Sequence, residues 1–416
     1  MARGSALAPL RLPAFRVFFA ASAVNMVGST MAPVALAFSV LHVTDSASAL
    51  GIVLASNAVP MVLFMLFGGV LADRISRVLL VRLGSVVLAA TQGAAAALIV
   101  SGTAELWMLV VLEALNGLVL ALTFPAYAAM TPQLVPRDLL QEANVLQSVV
   151  RGGLRVIGPT IAAWLVVGVG PGWALGVDAL TWLASGALML LVRVPPRPAG
   201  GSGTSMTTEL REGWSLFTGI TWLWVVVLAF AALNAMHSGA VLTLGPVIAK
   251  ATFGARGWGY VLSAESLGML AMTGIMLRRR LERPLLVGML AISLLGLPIL
   301  LLGLDLGLWP LVAAAFLGGA GTELFSLGWL LAMQENIEER LLSRAFSYDM
   351  VGSLVAVPVG QLAYGPLGAA FGYRRVCVVS GVAYVAIALA TLASSSVRDL
   401  RRAPAVVPAG SPAGGE

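Results

Sequence analysis

Twelve apolar stretches run along this chain, at roughly 17–41, 49–71, 79–100, 106–128, 144–168, 174–193, 220–248, 256–277, 284–304, 308–333, 345–371 and 375–396. A helix needs about 20 apolar residues to cross a bilayer, so each stretch is a candidate span. Composition agrees. Of 416 residues, 59% are hydrophobic and 11% charged, and the mean hydropathy is +0.94. Soluble domains carry about one-quarter charged residues. The sequence therefore predicts an all-α integral membrane protein with twelve transmembrane helices. Soluble enzymes, nucleic-acid binders and secreted disulfide scaffolds are excluded as classes. The net charge of +6 reflects arginines in loops on one side of the membrane rather than affinity for nucleic acid.

The scarce residues narrow the chemistry. Cys377 is the single cysteine, so no intramolecular disulfide and no zinc framework can form. His42 and His237 lack metal-ligand spacing. The only lysine, Lys250, precedes Ala251, whereas a Walker A loop requires Ser or Thr there. No nucleophile–base or metal constellation is present, which predicts no enzyme activity and no cofactor.

Basic residues alternate by side. Arg3, Arg11, Arg16, Arg74, Arg77, Arg137, Arg193, Arg197, Arg211, Arg278, Arg279, Arg280, Arg283, Arg340 and Arg344 fall on one side, and Lys250, Arg256, Arg374 and Arg375 on the other. The positive-inside rule then predicts both termini in the cytoplasm and a multi-pass protein of the cytoplasmic membrane. The Pro-, Gly- and Ser-rich stretch after 194 divides the chain. The expected organisation is a six-helix half at 1–194 and a cytoplasmic linker at 195–219 ending in a short amphipathic helix. A second six-helix half follows at 220–397, then a disordered tail at 398–416.

The halves echo one another. Pro136–Ala143 reads PRDLLQEA and Glu338–Ala345 reads EERLLSRA; Val149 matches Val351 and Gly158 matches Gly360. Two six-helix repeats are the architecture of a transporter that rocks about a central site.

Gly69-Val-Leu-Ala-Asp73-Arg74-Ile-Ser-Arg77 resembles the loop signature of the major facilitator superfamily, with Ser76 in place of the family glycine and Val78 in place of its last basic residue. Phe124-Pro125-Ala126-Tyr127, Leu134-Val135-Pro136-Arg137, Ala143-Asn144 and Gly158-Pro159 resemble the branch of enterobactin exporters and macrolide-efflux proteins. The resemblance implies alternating access by two six-helix bundles. It also implies a cytoplasmic gate at Gly69, Asp73, Arg74 and Arg77, to which Arg344 and Asp349 are candidate additions. Two antiporter motifs are altered: Glu113-Ala-Leu-Asn-Gly117 has Glu where Arg stands, and Leu154 replaces the first glycine of the span-five motif.

A charge inside a span costs about 2.5–3.5 kcal/mol on insertion scales and needs a reason. Glu113, Glu265, Glu323 and Asp178 are candidates for proton coupling or cargo binding, with His237 a weaker one. Asn25, Arg151, Arg155 and Pro159 are candidates for the cavity. Arg151 and Arg155, four apart, share a helix face and should face protein or cavity. A pairing of Arg155 with Glu113 or Asp178 and an encounter with anionic cargo both remain open. Met61, Met65, Met108, Met236, Met269, Met272 and Met276 offer either an adaptable cavity wall or plain packing.

The expected function is secondary export of a hydrophobic or amphipathic small molecule, driven by a proton gradient. The protein should act as a monomer among membrane lipids. A lipid or lysolipid flippase, a metabolite importer of the same fold, and a non-transporting receptor are the alternatives.

Overall fold

No water is available in a bilayer core to satisfy backbone N–H and C=O groups, so apolar runs of this length must form helices. The computed structural model describes residues 7–128, 130–192, 214–279 and 281–401, without the side chains of 66–74, 128, 137, 339, 340, 343 and 344. The first six spans are α1 (Pro13–Val43), α2 (Ala47–Arg74), α3 (Arg77–Val100), α4 (Leu106–Ala128), α5 (Leu140–Gly168) and α6 (Pro171–Met189). The second six are α7 (Thr221–Ala251), α8 (Gly254–Met276), α9 (Pro284–Leu304), α10 (Leu308–Asn336), α11 (Ala345–Phe371) and α12 (Tyr373–Ala393). Ten described helices are long and apolar enough to cross a membrane by length and composition alone. The other two, α6 and α8, carry Asp178 and Glu265 in their interiors.

An even number of spans leaves both chain ends on one face, here called the terminal face. On the opposite face the turns are tight. Gly170 and Gly372 (φ 105° and 89°) occupy backbone regions that L side chains avoid, and each joins the fifth helix of its half to the sixth.

The internal repeat is structural. Each echoed segment leads into the fifth helix of its half. Gly158 of α5 lies against Thr30 of α1, and Gly360 of α11 lies against the Ala235 carbonyl of α7. Each is a fifth helix resting on a first helix at a glycine. Gly117 of α4 sits on the Asn57 carbonyl of α2, and Gly319 of α10 sits on the Glu265 carbonyl of α8. Small residues permit such backbone approach between membrane helices. The repeat therefore places Glu265 where the first half has Asn57.

Irregularities interrupt the spans near the middle of the molecule, among them one at Val355 and Ala356 of α11 and a longer one in α7. Residues Ser238–Leu244 of α7 form a π-helical segment just before Pro246, whose missing N–H leaves the helical ladder without a donor. The Thr243 hydroxyl donates to the Ser238 carbonyl at 3.2 Å.

Arg82 of α3 closes the end of α6. Its Nε donates to the Met189 carbonyl at 2.9 Å, and its Nη2 to Leu190 and Val192 at 3.1 and 3.0 Å. These carbonyls lie at and just beyond the helix end, where the intrahelical donors run out; Met189 also accepts from the Val192 N–H at 3.2 Å. Arg82→Ala is expected to destabilise the protein by about 1.5–3 kcal/mol, the range for hydrogen bonds from a charged donor. Thermal unfolding followed with a thiol-reactive dye reads this directly, because the single thiol, Cys377, is buried.

Candidate functional site

The halves meet along two seams near the face opposite the termini. In one, Gly51 of α2 lies on the Gln361 carbonyl of α11, and Gly365 of α11 lies on Ser48 of α2. In the other, a methyl on Gly259 of α8 would come 2.9 Å from the Pro159 carbonyl of α5. Here too the Thr160 and Ser263 hydroxyls are hydrogen-bonded at 2.8 Å. The two seams use one device, a glycine early in a second helix seated on a carbonyl of a fifth helix. Pro159, expected in the cavity, is thus buried at a seam. A single hydrophobic cluster takes in Met31, Val34, Phe38, Ala47, Ala162 and Ala163 from the first half together with Trp222, Val241, Leu244 and Trp258 from the second.

Charges fasten the same end. Lys250 of α7 donates to the Leu41 carbonyl at 2.6 Å and pairs with Asp45 in the α1–α2 turn. Arg256 of α8 lies 4.2 Å from the centre of the Trp164 ring of α5, a cation–π contact across the halves. The Lys250 ammonium, hydrogen-bonded to Asp45, holds that carboxyl below its ordinary 3.8. A depressed folded value means the contribution of the pair is complete above the ordinary pKa and lost as pH falls through the lower one. Spin labels on Ser46 and Thr252 should therefore keep a narrow distance distribution down to about pH 4 and broaden only below it. Asp45→Asn should broaden the distribution at neutral pH.

Toward the terminal face the halves part on the α2–α11 side, while α5 stays against α8 at Gly152 and Leu270. A cavity of about 220 Å³ lies between α2, α4 and α11, lined by Val62, Met65, Phe124, Pro125, Met350 and Leu354 among others. Of the expected methionine wall, Met65 lines it. Helix α5 presents two different exposed faces. Val149, Ile157, Ile161, Trp164 and Val167 form an apolar one that suits lipid. Gln141, Asn144, Ser148, Arg151 and Arg155 form a polar one, spaced by three and four residues. The polar stripe lies on the arc between the contacts that α5 makes with α1 at Gly158 and with α8 at Gly152 and Pro159. It faces the cleft. Beyond Arg155 the same face is sealed by Pro159 and Ala162, both buried. Arg151 also lines a small pocket with Phe19, Ser22, Met26, Tyr127 and Gln147.

The embedded carboxylates occupy different settings. Glu113 is 4% exposed and accepts hydrogen bonds from Asn57 Nδ2 at 2.9 Å, Gln92 Nε2 at 3.3 Å and Asn116 Nδ2 at 3.5 Å. All these partners belong to the first half. Asp178 is 1% exposed and packs against Gly28 of α1; its Oδ1 has no donor among the described residues. Neither acid meets an arginine among the described residues, so the pairing considered for Arg155 does not occur. Glu265 Oε1 lies 3.8 Å from His237 Nε2, two residues from the seam contact at Ser263. Glu323 accepts from the Thr273 hydroxyl at 2.9 Å within the second half. Asn25 is half-buried and its carbonyl oxygen accepts from the Ser29 hydroxyl of its own helix at 3.5 Å.

The expected cytoplasmic gate falls mainly outside the described side chains: Gly69, Asp73, Arg74 and Arg344 lie in helical backbone whose side chains are not described. Arg77 begins α3 and is half-buried. Asp349 accepts from Trp329 Nε1 at 3.0 Å and from the Ser353 hydroxyl at 3.1 Å. The helix preceding α7, at 214–219, brings Trp214 and Phe217 to the Tyr348 ring of α11, with centroids 6.1 and 5.9 Å apart.

Asn57, Asn116, Thr273, Trp329 and Asp45 are partners that the sequence does not single out. Asn116 had a readable signal, since it lies one helical turn after Glu113 on the same face.

A cleft between two six-helix repeats, closed at one end by matching seams, is transporter architecture. The transmembrane secretion effector family of the major facilitator superfamily matches residues 4–307. The chain belongs to this family. Major facilitator proteins are transporters rather than enzymes. The enterobactin exporter EntS of Salmonella typhimurium (strain LT2) is 26% identical over 96% of this chain and 96% of its own length. Macrolide efflux protein A of Streptococcus pyogenes is 22% identical over 93% of this chain and 97% of its own. Among solved structures, the nucleoside transporter NupG superimposes with a TM-score of 0.72 at 15% identity, covering 91% of this chain and 98% of that one. That likeness concerns the major facilitator fold: twelve transmembrane helices in two six-helix bundles.

Proposed function

We propose that this transporter exports hydrophobic or amphipathic small molecules from the cytoplasm by alternating access, driven by proton entry. Support comes first from the contact between the halves. It is tight at the face opposite the termini and gives way to an apolar cavity and a polar stripe toward the terminal face. By the positive-inside rule the terminal face is cytoplasmic and the membrane is the cytoplasmic one, so cargo enters from the cell interior. The efflux relatives favour the same direction. The segment at 195–219 joins the halves, and the protein works as a monomer.

Rocking moves each half as a body. A group whose neighbours all lie in one half keeps its surroundings through the cycle. Glu113, held by α2, α3 and α4, is such a group, and we assign it to the architecture of the first half. Glu265 lies beside the seam, where opening exposes it. Only a ligand with different affinity for the two access states shifts them, and a proton on Glu265 meets that condition. His237 and Tyr384 are the titratable groups facing it from α7 and α12.

The test is proton flux in energised inside-out vesicles, followed with a ΔpH-sensitive dye while amphipathic compounds are added singly. Saturable, protein-dependent collapse of the gradient by one compound class is expected. Transport of such compounds without proton movement contradicts the coupling and favours a flippase.

A further inference from the structure

The charges embedded in the spans are not matched. Glu113 is met by amides, and Glu323 and Asp349 by other neutral donors. Glu265 faces His237. Among the described residues no other protein cation engages any of these acids. The arginines stand apart. Arg151 and Arg155 lie one turn apart at the middle of α5, both exposed on the cleft side, and among the described residues neither makes an ion pair or a side-chain hydrogen bond. An uncompensated guanidinium at membrane depth is costly and marks a functional position. Two of them on one face make a forked donor set suited to carboxylate, sulfonate or phosphate oxygens.

The surroundings complete a site. Tyr127 and Gln147 join Arg151 in one pocket. Phe124 and Pro125, from the same turn of α4 as Tyr127, line the 220 Å³ apolar cavity between α4, α2 and α11. A charged recess next to an apolar one fits a molecule with an anionic head and an apolar body. We infer that the cleft binds amphipathic organic anions, with Arg155 and Arg151 holding the anionic group at mid-membrane and the α2–α4–α11 cavity taking the apolar part. The inference rests on the reading of this cleft as the cargo path and narrows it to a charge class.

A binding measurement separates it from transport. The probes are 8-anilinonaphthalene-1-sulfonate and its uncharged relative N-phenyl-1-naphthylamine, titrated against the full-length protein in nanodiscs of phosphatidylcholine alone. The sulfonate is expected to bind saturably, about 10-fold more weakly to Arg155→Gln. Binding should fall by at least about 100-fold in the double variant Arg151→Gln/Arg155→Gln. Arg155→Lys should recover part of the affinity, since an ammonium keeps the charge without the fork; this excludes simple misfolding, and the neutral probe should bind all variants alike. Equal binding of the sulfonate to the double variant, or equal weakening of both probes, overturns the proposal. Repeating the titration with phosphatidylglycerol in the nanodiscs distinguishes the source of the anion. Unchanged sulfonate affinity supports soluble cargo, whereas competitive displacement assigns the arginines to a lipid headgroup and overturns the cargo assignment. Failure of proton coupling in vesicles leaves every one of these outcomes readable.

Discussion

In a Gly51→Val variant the two halves will fail to close at the face opposite the termini, and Lys250 will react with a membrane-impermeant amine reagent about 10- to 100-fold faster than in the wild type. The reason is steric. Any β-carbon at Gly51 runs into the Gln361 carbonyl of α11, a backbone atom that cannot swing aside. Overpacking of this kind costs about 1–3 kcal/mol. Closure is an equilibrium between two arrangements, so that cost appears as a population shift of the stated size. Lys250 is the right reporter because it is the only lysine in the chain and is held across the halves by Asp45 and the Leu41 carbonyl. Gly153→Ala is the control. Nothing lies within 4 Å of a β-carbon there, and labelling should not change. Equal labelling of Gly51→Val and the wild type would remove the seam from the account.

Glu265→Gln is expected to abolish uphill transport while leaving exchange across the membrane intact. The concentration ratio that a ΔpH sustains should fall to about one, because a side chain that exchanges no proton gives the gradient no hold on the access states. Glu113→Gln should do the opposite. It places an amide among three amide donors, so one donor pair is left facing another. The loss expected is about 1–3 kcal/mol of stability, with uphill transport retained in the protein that folds. Loss of coupling in folded Glu113→Gln together with retained coupling in Glu265→Gln would reverse the assignment of roles.

Much of the architecture was legible because a bilayer gives apolar runs few options. The spans at 106–128, 284–304 and 345–371 begin and end where the apolar runs do. The repeat of 136–143 in 338–345 marked the entries to the two fifth helices. The equivalence of Gly51 with Gly259 was hidden, because loops of different length shift the register between the halves. The partners of the embedded acids were also hidden. Which helix lies beside which is a matter of packing, so the meeting of Glu113 with Asn57, 56 positions away, left no local signature. The cost of two mid-span arginines points to a position against protein or cavity rather than lipid. Among the described residues they have no carboxylate partner, because Glu113 and Asp178 lie inside the first half. Lys250 stood out as the sole lysine, on the face with few charges, yet its partner Asp45 is 205 residues away.

The central claim is that the two halves rock, closing one face as the other opens. Double electron–electron resonance on two label pairs tests it: Ser46 with Thr252 on the face opposite the termini, and Ser76 with Arg279 on the terminal face. In the resting protein the first pair should give a single short distance and the second a longer one. On shifting to the alternate state, for example with Gly51→Val, the first distance should lengthen while the second shortens. Distances that stay fixed, or that lengthen together, would contradict the account.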